Sequence, residues 1–136
     1  EALQELDGQL LPIYHTNVMM SVGQEIAILC ADSIKDETER KAVIEALENS
    51  GKEIVYISEA QKSSFAGNML QVINNAGEKI MVMSTQAHES LTPEQIATIK
   101  KTILIFLFRL NSASLFNNLS LALIAISSKV IRRKKI

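Results

Sequence analysis

His15 and Asn17 are the residues whose types and spacing best suit acid–base chemistry. An imidazole exchanges its proton near neutral pH, so it can act as acid and then as base. A carboxamide two positions on can orient the ring or hold a polar substrate group. Residues 12–23 read as extended, because Tyr14, Thr16 and Val18 are strand formers. Alternate residues of a strand share a face. His15, Asn17 and Met19 are therefore expected on one face, with the imidazole pointing into a pocket shared with the amide at 17. A lone histidine on a strand is more often structural, so the pair needs a wider pattern to support it.

Other candidates are weaker. Asn68, in the stretch FAGNML, is either a site residue or a turn residue that caps its own loop. Cys30 lies in the apolar run AILCA and reads as a small buried hydrophobe, not a nucleophile. His88 reads as a solvated loop residue ahead of a helix, Glu89 as acidic support for a site on proximity alone, and Met19, Met20, Met69, Met81 and Met83 as core packing. There is no phosphate loop, zinc-ligand spacing or dinucleotide fingerprint, so neither a metal nor a cofactor is expected.

The elements that must position these residues alternate in type. The opening stretch EALQELDGQL reads as polar and helix-like, and a start without Met reads as a piece of a longer protein. Residues 25–31 form a near-continuous apolar strand, as expected of a strand buried on both faces. Asp36 with Glu39 has capping-box spacing, and a helix is expected from there to Gly51. Residues 52–58, 71–74 and 79–84 read as strands, the last two joined through Asn75, Ala76 and Gly77. Thr92, Pro93 and Gln95 open a second helix that runs to about Lys101, and residues 102–110 read as a further strand. The fold class is α/β, with repeating strand–strand–helix–strand units rather than a doubly wound sheet.

Composition excludes several functions. The chain has 136 residues, 47% hydrophobic and 21% charged, enough for a globular core. Its 14 basic and 15 acidic residues leave a net charge of −1, which gives no electrostatic footprint for nucleic acid. A single cysteine cannot form an internal disulfide, which fits a reducing, cytoplasmic setting.

The stretches PIYHTNVMMSVG, FAGNML and VMS resemble the guanidino-group-modifying superfamily over roughly residues 10–101. The likeness is nearest to bacterial arginine-deiminase-related proteins, including the citrulline-utilisation hydrolases. The resemblance implies a five-bladed α/β-propeller built of ββαβ units. This chain would supply about two blades of the C-terminal part. It also implies a small-molecule substrate, arginine or citrulline, and a hydrolase or amidinotransferase mechanism. A cysteine thiolate attacks the guanidino or ureido carbon, and a histidine protonates the leaving amine and then activates water. His15 matches that catalytic histidine, and Asn68 matches a motif near the channel. Asn17 stands where arginine deiminases have an acidic residue, and a neutral amide suits a ureido group better than a guanidinium.

The family's nucleophile lies in a glycine-rich segment near the C-terminus. Residues 102–136 hold no such segment, and beyond residue 110 they contain neither Gly nor Pro. The chain is therefore divided into residues 1–101, which follow the family, and a divergent tail, 102–136, read as frame-shifted or degenerate. Two alternatives follow. One is an inactive relative that still binds a ligand or partner. The other is an apolar anchor at residues 113–131 ahead of a basic end. A membrane anchor is disfavoured, because Asn117, Asn118, Ser120, Ser127 and Ser128 interrupt the run.

Overall fold

The alternation of strand-forming and helix-forming sequence folds into two small sheets with the same connectivity. The computed structural model describes residues 1–6 and 8–108. The chain opens with a hairpin of β1 (Leu3–Leu6) and β2 (Gln9–Pro12), in register from Leu3 opposite Pro12 to Leu6 opposite Gln9. This corrects the helix-like reading of the start. Gly8 holds the turn at φ 75°, a left-handed conformation that glycine enters without a Cβ clash. The Asp-Gly pair is a strong hairpin signal that outweighs the helix propensity of its flanks.

In the first unit, β3 (Met20–Val22) pairs antiparallel with β4 (Ile26–Leu29), and β4 pairs parallel with β5 (Glu53–Tyr56). A parallel pair needs a long crossover, which α1 (Glu37–Asn49) supplies. The Asp36 side chain caps α1 by accepting the Glu39 N–H at 2.8 Å, as its spacing predicted. All four residues of β4 are buried.

The short helix α2 (Glu59–Ser63) leads into the second unit. There β6 (Leu70–Ile73) pairs antiparallel with β7 (Lys79–Ser84), and β7 pairs parallel with β8 (Leu104–Phe108). The crossover is made by α3 (Thr85–Ser90) and α4 (Pro93–Thr102). Both units are thus ββαβ, in spatial order first, second, third strand. The mixed α/β class stands.

The shared core is built from β4, from Met81 and Met83 of β7, from Leu47 and Ile99 of the crossover helices, and from Met19, Ala66 and Met69 between elements. Four of the five methionines are buried core residues, as expected. The units meet along their first strands, β3 and β6, where the Gln71 side chain accepts the Gln24 N–H at 2.9 Å. Strand β8 falls past residue 101, where the divergent tail was placed, and continues the second sheet. The rest of that tail, with the anchor considered at 113–131, lies outside the described residues. No described helix is long and apolar enough to cross a membrane.

Candidate active site

Residues 12–23 do not form one strand. After His15, which is itself extended at φ −138° and ψ 131°, the chain winds a 3₁₀ turn over Thr16–Val18. The Val18 N–H donates to His15 O at 3.0 Å, and the Met19 N–H donates to Thr16 O at 3.0 Å. A turn cancels the strand alternation, so His15, Asn17 and Met19 do not share a face. Met19 is buried at 4% exposure, whereas His15 and Asn17 are exposed. Tyr14 stands edge-on to the His15 ring, with centroids 4.8 Å apart and planes at 61°.

The structure does bring the FAGNML stretch to this turn. Helix α2 ends at Ser63, and the chain reverses through Phe65, which sits at φ 66°. A left-handed aromatic residue is a strained conformation held by its surroundings. The residues that follow it include Ala66 and Met69, both buried in the core. Between them, Gly67 presses on the His15 turn: a Cβ on it would lie 2.4 Å from Val18 O and 2.9 Å from the Val18 carbonyl carbon. Asn68 is half-buried, and its backbone N–H donates to Phe65 O at 2.9 Å. The turn bearing His15 and Asn17 and the loop bearing Asn68 are thus packed backbone to backbone.

A cavity of about 450 Å³ opens beside this junction, walled by Thr16, Met19, Met20, Ile34 and Val43 and by the acidic residues Glu1 and Glu39. Its wall is mainly apolar, and His15, Asn17 and Asn68 do not line it.

Cys30 is fully buried in the core. Burial pushes its thiol up, and the charge of Glu59 adds to that, against lowering by Ser33 and Lys62. A thiol held protonated is a poor nucleophile, in keeping with a structural role. Beside it lies a group that sequence reading missed. Lys62, 6% exposed, donates to Ser33 Oγ at 3.0 Å and pairs with Glu59 at 2.5 Å, while Ser33 Oγ donates to Glu59 at 3.0 Å. Burial raises the Glu59 carboxyl, but hydrogen bonds from Lys62 and Ser33 and the charges of Lys62 and Lys35 outweigh it and hold the group below its usual value. Sequence reading also placed His88 in a loop. It lies in α3, half-buried, because Ser84 caps that helix by accepting the Ala87 N–H. Among the described residues, no cluster of three or more His, Cys, Asp or Glu is placed to hold a metal ion.

Residues 2–113 match the family model described as N,N dimethylarginine dimethylhydrolase, eukaryotic. The chain belongs to this family. The match covers far more than half of the sequence and runs past β8, so it takes in both ββαβ units of this chain. No curated protein matches the chain significantly. The guanidino-modifying likeness drawn from YHTNVMMS and FAGNML therefore stands at the level of a guanidino-group hydrolase family. The assignment now rests on that match, not on a pocket at residue 15.

Proposed function

We propose that this chain forms the histidine-bearing part of a site that hydrolyses the dimethylated guanidino group of N,N-dimethylarginine. The observation that carries the reading is the family match over residues 2–113. The apposition of Gly67 and Val18 supports it, because it gathers the family-matching stretches around His15 and Asn68 at one surface. Water replaces dimethylamine at the guanidino carbon, and a ureido product, citrulline, remains. In this chemistry a thiolate adds to the carbon, and His15 protonates the departing dimethylamine and then takes a proton from water. Asn17 and Asn68 supply carboxamides that can hold the guanidino and ureido groups. Citrulline, expected as a substrate from sequence, becomes the product on this reading.

The two ββαβ units fit an α/β-propeller in which the first strands, β3 and β6, face the central channel. The exposure of His15 and Asn17 is then the exposure of channel residues. The thiol does not come from Cys30, which is buried and held protonated. That observation favours a second reading for residues 1–136: ligand binding without turnover.

Calorimetric titration with N,N-dimethylarginine, arginine and citrulline tests both readings. Dimethylarginine is expected to bind, more weakly once His15→Ala is introduced, and no dimethylamine is expected to be released. If dimethylarginine binds no better than an unrelated amino acid, the substrate assignment fails. Release of dimethylamine by the chain would remove the second reading.

A further inference from the structure

Two capping boxes in this chain interlock. In the first, the Gln61 side chain accepts the Ser58 N–H at 3.0 Å; in the second, the Gln95 side chain accepts the Thr92 N–H at 2.8 Å. Each glutamine normally serves only its own helix start. Here their carboxamides also pair with each other. Gln61 Nε2 donates to Gln95 Oε1 at 2.7 Å, and Gln95 Nε2 donates back to Gln61 Oε1 at 3.2 Å. The second hydrogens are used too: Gln61 Nε2 donates to Ser90 O at 2.8 Å and Gln95 Nε2 to Tyr56 O at 2.7 Å. Both donors of each amide are thus engaged, and the pair ties α2 to β5, to the end of α3 and to the start of α4.

Gln61 also anchors the loop that follows α2. Its carbonyl accepts the N–H of Ser64 at 3.0 Å and of Ala66 at 3.0 Å. The loop then sets Gly67 against Val18, and the Val18 N–H closes the turn on His15 O. One residue therefore holds the second unit through its side chain and the Asn68 loop through its backbone.

We propose that Gln61 is a positioning residue, which fixes the Phe65–Asn68 loop against the His15 turn through its clasp with Gln95. The proposal rests on the reading that this surface takes dimethylarginine, but its structural part does not need the ligand. A fully satisfied, partly buried amide pair has one arrangement, so it sets position more sharply than apolar packing does.

Gln61→Glu separates the clasp from the cap. A carboxylate still accepts the Ser58 N–H, as the usual capping-box residue does. It has no hydrogen to give to Ser90 O or Gln95. The backbone amide resonances of the full chain are recorded for wild type, Gln61→Glu, Gln95→Glu and a core control, Ile44→Ala. In both glutamine variants the amides of Gly67, Asn68 and Val18 are expected to shift, with α2 retained. In Ile44→Ala those amides are expected to stay in place even where Tm falls as far. Dimethylarginine affinity is expected to drop roughly tenfold in Gln61→Glu, since misplaced binding groups lose their geometry. Unmoved Gly67 and Val18 amides in Gln61→Glu, or equal movement in Ile44→Ala, would overturn the proposal. A wild-type chain that fails to bind dimethylarginine overturns the substrate assignment instead, while the amide shifts still decide the role of Gln61.

Discussion

Gly67 lies so close to the carbonyl of Val18 that a Cβ placed on it would sit 2.4 Å from that oxygen. The obstacle is backbone, not the end of a flexible side chain, so either the loop or the His15 turn must move. Gly67→Ala is expected to lower stability by about 1–3 kcal/mol, the usual range for overpacking. Thermal melts measure the loss, and the amides of Val18 and Met19 report which partner moves. A Gly67→Ala chain with unchanged Tm and unchanged amides would show that the contact is loose.

The Lys62 group predicts an asymmetry between two neutralising substitutions. The Lys62 side chain is 5% exposed and its partner Glu59 is 42% exposed. Removing the carboxylate strands a cation in the core, and breaking such a pair costs about 3 kcal/mol or more. Removing the cation leaves a carboxylate that water already reaches, so Lys62→Met should cost only about 1 kcal/mol. Denaturant unfolding of Glu59→Gln and Lys62→Met compares the two directly. Equal losses would mean that Lys62 is not desolvated as the structure shows.

The same group sets an acid sensitivity. The Glu59 carboxyl is held below its unfolded-state value in the folded chain. The unfolded chain therefore takes up this proton first as pH falls, and the stabilisation is present at neutral pH. It declines once pH drops below the ordinary glutamate value, about 4.3, and is gone below the folded-state value. In Glu59→Gln this component of the pH dependence should be missing, which urea midpoints measured from pH 7 down to about 3 will show.

Cys30 should behave as an internal clock for unfolding. Its burial and raised thiol predict no reaction with a thiol reagent at neutral pH in the native chain, and full reaction in denaturant. Labelling rates under native conditions would then follow global opening. Prompt labelling of the folded chain would return Cys30 to the list of candidate nucleophiles.

The elements read correctly from sequence are those whose signals are local. Asp36 and Glu39 mark the start of α1, and Thr92, Pro93 and Gln95 mark that of α4. The apolar runs of β4 and β7 announce buried strands. Some errors fall where distant contacts decide, and others where a local signal was passed over. Tyr14 to Val18 are strand formers, yet the 3₁₀ turn prevails where Gly67 packs against it and Met19 is drawn into the core. The box at Ser58 and Gln61 had the same local signature as that at Thr92 and Gln95 and was passed over. The pairing of the two glutamines joins residues 34 apart in sequence, so no local pattern discloses it. The burial of Lys62 is set by Ser33, 29 residues away, in the same manner.

Asn17 offers the sharpest test of where the guanidino group sits. It is exposed on the turn that carries His15. Asn17→Asp adds a negative charge without changing shape. Dimethylarginine carries a guanidinium and citrulline a neutral ureido group, so only the first should gain from the charge. An exposed ion pair is worth about 0.2–1 kcal/mol, which corresponds to a gain of up to about fivefold in affinity. The gain should shrink as salt screens the pair. Titrating both ligands into Asn17→Asp at low and high salt reads the effect. A gain for dimethylarginine alone that falls with salt places the guanidino group beside residue 17, and equal affinity with and without the charge places it elsewhere.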